Sequence, residues 1–183
     1  MLYVVRHGET EPNVRGVALG RSDPPLTDRG RYQAERLAAT LPPPDLVVSS
    51  PLARARDTAA AFGRPVELDE RWIERDYGVL EGVADPLLVP NDVDHVPEGG
   101  ESIAEVGRRV RPACEALSPV ASGAMVLVVT HVSPVKAAVA WALGVHDDIA
   151  WRVWVEDAAI ARIAVGPGGP VLRSLNEHPP PAP

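Results

Sequence analysis

Histidine and arginine side chains recur where apolar segments of this sequence end. Arg6 and His7 follow one such segment, His131 follows another, and Arg54 comes shortly after a third. An imidazole nitrogen can act as a nucleophile, and an arginine presents a planar fork of donors that matches the oxygens of a phosphate. These residue types predict a site for a phosphoryl group, provided that the fold brings them together.

Three of the apolar segments are suited to strands that are covered on both faces. They are LYVV (2–5), DLVVSS (45–50) and AMVLVVT (124–130). Two later runs, IAWRVWV (149–155) and AAIARIAV (158–165), alternate between apolar and other residues, which predicts a hairpin near one edge of the sheet.

Helices are predicted between and after these strands. Three of them begin after a residue whose hydroxyl can cap a helix, namely Thr27, Ser50 and Ser133, and a further helix is predicted from Ser102. Pro51 and Pro134 then fall in the first helical turn, where proline is tolerated. Residues 78–100 have no clear period and contain several prolines and the pair Gly99-Gly100, so we expect a surface excursion beside the site.

Strands that alternate with helices predict an α/β fold: a three-layer sandwich with a mostly parallel central sheet flanked by helices on both faces. We expect a single domain over residues 1–175 and a Pro-rich tail over 176–183. Ligands of such sheets bind at the carboxyl ends of the strands, which is where the histidines stand. Helices that start at the same edge would add free N–H groups for an anion.

Composition narrows the class of protein. The chain has 183 residues and a net charge of −7, which argues against nucleic acid or a membrane surface as the partner. Cys114 is the only cysteine, so no internal disulfide can form. The sequence shows no signal peptide, no membrane-spanning run and no spacing typical of metal ligands, so we expect a cytoplasmic protein without a metal or other cofactor.

Five blocks of sequence resemble the histidine phosphatase superfamily, the phosphoglycerate mutase-like group of branch 1. In order they are RHGETEPN (6–13), SSPLARARDTA (49–59), IERDYGVLEG (73–82), PEGGES (97–102) and VVTHVSP (128–134). The resemblance covers most of the chain. The VTHVSP block and the short segment between Glu74 and His131 are similar to the α-ribazole phosphatase and broad-specificity acid phosphatase group.

The resemblance implies a role for each matching residue. His7 would be the phosphorylated nucleophile, with Arg6 and Arg54 as phosphate clamps. His131 would be the second histidine of the pocket, and Glu74 the proton donor and acceptor. Two further residues would help to bind the phosphoryl group: Asn13, and Val132 through its backbone N–H, although relatives commonly have glycines after the second histidine. Members of the family need no metal.

Some of these assignments have competitors. Arg54 and Arg56 lie about 200° apart around a helix, so only one of them can face the site, and the family pattern selects Arg54. Glu74 competes with three other acidic residues: Glu70, Asp76 and Glu81. The roles of Arg21 and of His95 stay open.

The sequence favours a cofactor-independent phosphatase that hydrolyses a small phosphomonoester through a phosphohistidine. Two alternatives remain: a phosphoglycerate mutase, which returns the phosphoryl group to a substrate, and a non-catalytic protein that binds a phosphorylated ligand. The short segment between Glu74 and His131 favours hydrolysis, because mutases of this family usually carry a longer cover that excludes water. The physiological substrate and the oligomeric state stay open, with a homodimer as one option.

Overall fold

A six-stranded sheet forms the centre of the molecule. A computed structural model describes residues 1–84 and 92–179. The strands are Leu2–Arg6 (β1), Leu46–Ser49 (β2), Val66–Leu68 (β3), Val126–Thr130 (β4), Ile160–Gly166 (β5) and Gly169–Glu177 (β6). The α-helices of the described residues are Glu11–Val14 (α1), Asp28–Thr40 (α2), Ala53–Ala60 (α3), Ile103–Ala121 (α4) and Val132–Leu143 (α5).

The strand order is β3-β2-β4-β1-β5-β6. The pairings among β3, β2, β4 and β1 are parallel, whereas β5 runs antiparallel to both β1 and β6. The sheet is therefore mixed and mostly parallel, and its parallel strands all end at one edge. The predicted fold class is confirmed.

Helices cover both faces of this sheet. Leu2 and Val4 of β1 pack into a core that includes residues of α4 and α5. Tyr3 and Val5, which alternate with them, pack on the other face with residues of α2 and α3. Successive side chains of a strand point to opposite faces, so residues 2–5 of β1 are apolar and buried on both sides, and only Arg6 at its end is polar.

Two of the predicted helix starts are confirmed and two are wrong. Thr27 caps α2 by accepting a bond from the Gly30 N–H, and Ser102 caps α4. Ser50 and Ser133, in contrast, do not cap helices. Helix α3 begins only at Ala53 after Leu52, and α5 begins already at Val132 with His131 at the cap position.

The predicted hairpin has the wrong first strand. Residues 149–155 form the end of a 3-10 helix (Asp147–Trp151) followed by irregular chain, and β5 pairs instead with β6. Strand β6 continues to Glu177, two residues into the segment predicted as a tail. The short elements β3 and α1 were missed, since three or four residues carry too little periodicity. Part of the predicted excursion, residues 85–91, lies outside the described residues.

Candidate active site

The carboxyl ends of β1, β2 and β4 bring three chain segments together. His7, Ser50 and His131 each come directly after one of these strands. The His7 N–H donates to the Thr130 carbonyl at 2.8 Å, and the Ser50 N–H donates to the Val129 carbonyl at 3.0 Å. These bonds continue the sheet pairing by one residue, so the three side chains emerge from a rigid edge rather than from free loops.

The hydrogen bonds of His7 define its reactive nitrogen. Its Nδ1 lies 2.7 Å from the Gly8 carbonyl, which can only accept, so Nδ1 carries the hydrogen. The other nitrogen, Nε2, then holds a lone pair, and the Nε–H of Arg54 donates to it at 3.2 Å. His7 is almost fully buried. The backbone thus selects the tautomer in which Nε2 is the nucleophilic atom.

Close backbone packing fixes the position of this histidine. A Cβ on Gly8 would lie 2.4 Å from the Gly30 carbonyl oxygen, and a Cβ on Gly30 would lie 2.1 Å from the Glu9 carbonyl oxygen. The Gly8 N–H also donates to Thr58 Oγ1 of α3 at 3.1 Å. The chain after β1 is therefore held between α2 and α3, at a separation that only glycine permits.

Arg54 is fully buried and all three of its nitrogens have a partner. Besides His7, it donates to the Ser22 carbonyl at 2.6 Å and to the Gly20 carbonyl at 2.7 Å. Burial lowers the pKa of Arg54, although nearby carboxylates oppose this change. Arg56 is exposed. The structure thus places Arg54, and not Arg56, beside the histidine.

His131 lies beside His7, with 5.0 Å between the ring centroids and 62° between the ring planes. Its Nε2 is 2.7 Å from Ser50 Oγ. Its Nδ1 is buried, and no hydrogen-bond partner for it occurs among the described residues. Buried polar atoms are rarely left in this state, so Nδ1 is a candidate contact for a ligand.

Both histidines are kept neutral by their surroundings. Burial lowers the pKa of His7 well below its ordinary 6.5, and the charges of Arg54 and Arg6 lower it further. Burial also lowers the pKa of His131, with His7 and the same arginines adding to the effect. A neutral His7 retains the lone pair that a nucleophile needs.

Glu74 is the predicted acid–base residue, and it lies buried at the start of α5. Its Oε1 accepts from the Arg75 N–H at 2.7 Å and from the Ser133 N–H at 3.2 Å. Both bonds go to Oε1, which can accept them whether or not the carboxyl group carries a proton. Two of its competitors have other partners: Glu81 accepts from the Gly20 and Ser22 N–H groups, and Asp76 lies 3.7 Å from Arg21. Glu70 is exposed.

Arg6 is oriented differently from Arg54. It forms an ion pair with Asp157 at 2.7 Å and donates to the Val155 carbonyl at 2.8 Å. Among the described residues, its Nε is buried without a partner. Arg6 thus joins the end of β1 to the segment before β5, and its contact with His7 is electrostatic.

A cleft with a volume of about 860 Å³ lies beside these residues. Three of the predicted binding residues line it: Arg6, Asn13 and Val132. The other three, His7, Arg54 and His131, are not among its lining residues. Asn13 Oδ1 accepts from the Thr10 N–H at 3.0 Å and from Thr10 Oγ1 at 2.7 Å. Arg21 lines a separate depression, and the carbonyl of His95 accepts a bond from the buried Arg75 at 3.4 Å.

Several residues of this region were not predicted from the sequence. Ser50 was expected to cap a helix but contacts His131 instead. Asp157, the partner of Arg6, belongs to a stretch without a recognisable motif. Tyr77 lines the cleft, and burial raises its pKa to about 12, so it remains a hydrogen-bond donor. Only the resemblance of its block could have indicated Tyr77.

Residues 1–84 and 92–179 contain no group of three or more His, Cys, Asp or Glu residues that could hold a metal ion. Within the same ranges, no helix is both long enough and apolar enough to cross a membrane.

Comparison with protein families gives the class of this chain. It matches the model of the histidine phosphatase superfamily (branch 1) over residues 2–178. The chain therefore belongs to this superfamily, and the resemblance predicted from the five sequence blocks is confirmed.

Its curated relatives differ in length and in name. The bifunctional protein Rv2228c of Mycobacterium tuberculosis is 34% identical over 177 residues, which is 87% of this chain and 49% of that protein. The chain thus spans about half the length of this relative. The probable phosphoglycerate mutase GpmB of Serratia proteamaculans is 32% identical over 179 residues, with 88% and 83% covered.

Solved structures with the same fold include phosphatases. A phosphoserine phosphatase from Entamoeba histolytica in complex with 3-phosphoglyceric acid has a TM-score of 0.87 at 27% identity, with 96% of both chains covered. The α-ribazole phosphatase from Shigella flexneri has a TM-score of 0.84 at 29% identity, again with 96% of each chain covered. Chains similar to this one thus include both mutases and phosphatases.

Proposed function

We propose that this protein is a cofactor-independent phosphatase that hydrolyses a small phosphomonoester through a phosphohistidine. One observation supports the proposal above all others: a buried, neutral imidazole presents the lone pair of Nε2 directly to the guanidinium of Arg54. A nucleophile and an oxyanion donor at one point suit the transfer of a phosphoryl group. The phosphatases among the similar structures are consistent with it.

The first step forms a bond between phosphorus and His7 Nε2 and breaks the bond between phosphorus and the ester oxygen. The incoming phosphoryl group displaces the hydrogen bond from Arg54 Nε, and Arg54 then donates to the phosphoryl oxygens. His131 donates its Nδ1 hydrogen to another oxygen, while its Nε2 accepts from Ser50. Glu74, entering the step protonated, gives its proton to the leaving alcohol oxygen.

The second step returns the enzyme to its starting state. Water attacks phosphorus as the bond to Nε2 breaks, and Glu74 takes the proton that the water loses. Inorganic phosphate leaves, Nε2 regains its lone pair, and Glu74 is again protonated. The water would come from the cleft, which is lined by Arg6, the residue before His7.

A quenched-turnover experiment tests this mechanism. A substrate carrying ³²P is mixed with enzyme and quenched with alkali, and we expect label on the peptide that contains His7, stable in base and lost in acid. The His7→Ala protein should lose roughly 10⁴-fold or more of its turnover of p-nitrophenyl phosphate, as expected for a nucleophile. His146→Ala changes an exposed loop histidine and should keep full activity.

The outcomes separate the alternatives. Label on a serine, or full activity of the His7→Ala protein, would contradict the phosphohistidine. Exchange of the phosphoryl group between the positions of phosphoglycerate, with little free phosphate, would indicate a mutase instead. Ligand binding without label and without turnover would indicate a binding protein.

A further inference from the structure

Lys136 differs from the other cationic side chains of the chain, which are arginines and histidines. It is the only lysine in a sequence in which Lys and Arg together number 18. It belongs to α5, four residues and about one helical turn after Val132, and both residues line the cleft. A lysine in a wall of a cleft is unusual enough to require an explanation, because ammonium groups normally remain in water.

The charge of Lys136 is not neutralised within the described residues. Its Nζ donates to the Ala150 carbonyl at 2.8 Å, and no carboxylate of the described residues lies within ion-pair distance. Burial lowers the pKa of this lysine, while Glu74 nearby raises it. A half-buried ammonium with one backbone acceptor has two further donor positions, and such charges are normally paired.

Other charges of the cleft reinforce this local excess of positive charge. Arg6 is paired with Asp157, and Arg29 with Glu9. Three lining cations form no ion pair among the described residues: Arg75, Lys136 and Arg152. The chain as a whole is acidic, with a net charge of −7. The positive charge of this cleft is therefore a local feature, opposite in sign to that of the whole protein. Such a cleft concentrates anions.

We propose that Lys136 binds a second anionic group, carried by the alcohol part of the substrate. The proposal rests on the proposed function, because it assigns the leaving group of the same reaction. Glu74 contacts the Ser133 N–H in the first turn of α5, and Lys136 follows one turn later, about 5 Å along the axis. A carboxylate or a second phosphate a few bonds from the ester oxygen spans that distance.

A purely structural role for Lys136 makes a different prediction. The bond to Ala150 joins α5 to the 3-10 helix at Asp147–Trp151, and its loss could loosen the cleft. Such loosening would lower kcat/KM for every substrate by the same factor. A role in recognition would instead lower kcat/KM only for substrates that carry the second anion, so a comparison of paired substrates separates the two roles.

The first test uses substrates that differ in that anion alone. We compare kcat/KM for 3-phosphoglycerate with glycerol 3-phosphate, and for fructose 1,6-bisphosphate with fructose 6-phosphate. The first pair tests a carboxylate and the second pair a second phosphate. Wild-type enzyme should prefer the more anionic member of at least one pair. Lys136→Met, which keeps the apolar stem, should reduce that preference about 10- to 100-fold, the usual effect of one charged hydrogen bond.

Two variants control this result. Lys136→Arg should recover most of the preference, since it restores a cation at the same position. Arg64→Met removes an equally charged, exposed side chain outside the cleft and should leave the preference as in the wild type. A wild-type enzyme without preference in either pair, or an unchanged ratio in Lys136→Met, would overturn the proposal.

The second test needs no turnover. Lys136 carries the only side-chain amine, so an amine-selective reagent followed by peptide mass spectrometry reports on it directly, apart from the N-terminus. In the His7→Ala protein, the more anionic member of at least one of the two pairs should slow modification of Lys136 at least about fivefold more than its partner, at equal occupancy. Equal protection by both members in both pairs would overturn the proposal. The experiment is decisive even if the protein hydrolyses no phosphate, in which case only the proposed function fails.

Discussion

Arg54 links His7, the proposed nucleophile, to the loop that precedes α2. Its Nε donates to His7, and its two terminal nitrogens donate to the carbonyls of Gly20 and Ser22. Glu81 accepts from the N–H groups of these same two residues, so the loop is held from both sides. The guanidinium is thereby oriented before a ligand arrives, which is the condition under which an oxyanion donor is most effective.

Replacing Arg54 should therefore be far more harmful than replacing Arg56. Arg54→Met keeps most of the side-chain volume but removes every donor, and we expect kcat to fall about 10²–10³-fold, as for loss of an oxyanion donor. Arg56→Met, two positions away on an exposed face, should stay within about threefold of the wild type. Steady-state kinetics on protein of equal thermal stability measure both. Equal losses would show that the orientation of α3 is irrelevant to catalysis.

At the scale of elements, the end of β1 and the start of α2 meet backbone against backbone. A Cβ on Gly30 would lie 2.1 Å from the Glu9 carbonyl oxygen, and neither partner is a flexible side chain. The segment from His7 to Glu9 is consequently set by the position of α2. The position of α2 therefore helps to set the position of His7.

Gly30→Ala should disturb both stability and activity. In an ordinary helix this change is favourable by up to ~1 kcal/mol. Here the clash must move α2 or the backbone of Glu9, and we expect a net loss of roughly 1–3 kcal/mol together with a lower kcat. Gly123→Ala is the control, because a Cβ there meets nothing within 4 Å. Urea titrations and turnover rates compare the two. A Gly30→Ala protein that is more stable and equally active would contradict this account.

Sequence patterns predicted the start of α2 correctly but failed for the start of α3 and for residues 149–155. The hydroxyl of Thr27 caps α2 by accepting from the Gly30 N–H, and it also donates to the Glu9 carboxylate. Ser50 has the same local pattern but binds His131, so the helix after it starts later. Residues 149–155 alternate in sequence but do not form a strand, and residues 150–155 all line the cleft. Local signals fail where a side chain is used by a distant part of the chain.

At the scale of the whole molecule, the sheet edge was predictable and the cleft was not. Alternating strands and helices indicate a parallel sheet, and such a sheet assembles His7 and His131 at one edge. The cleft wall comes from segments distant in sequence, such as those with Tyr77, Lys136 and Trp151. No periodicity relates these segments to one another. The catalytic roles of the edge residues remain predictions, which the experiments above test.

The burial of two neutral histidines at that edge also makes the stability of the whole fold depend on pH. The pKa of His7 and that of His131 lie below the ordinary 6.5 in the folded protein. As the pH falls below 6.5, the unfolded chain therefore binds protons that the folded protein does not bind. Stability that is fully present above this pH is lost progressively below it.

We expect the free energy of unfolding to decrease between pH 7.5 and pH 5.5, by at most about 1.4 kcal/mol for each histidine, because pH 5.5 lies one unit below the ordinary pKa of 6.5. Urea titrations at both pH values measure it, in buffers without phosphate or other oxyanions that could bind the site. The carboxyl groups of Asp69 and Glu105 also have lowered pKa values. Their ordinary pKa values lie below this pH range, so their protonation affects stability only at lower pH. His131→Asn removes one of the two titrating groups and should reduce the loss by about half. A stability that is flat across this range in the wild type would mean that His7 and His131 gain protons in the folded state as readily as in the unfolded chain, and that the edge is open to water.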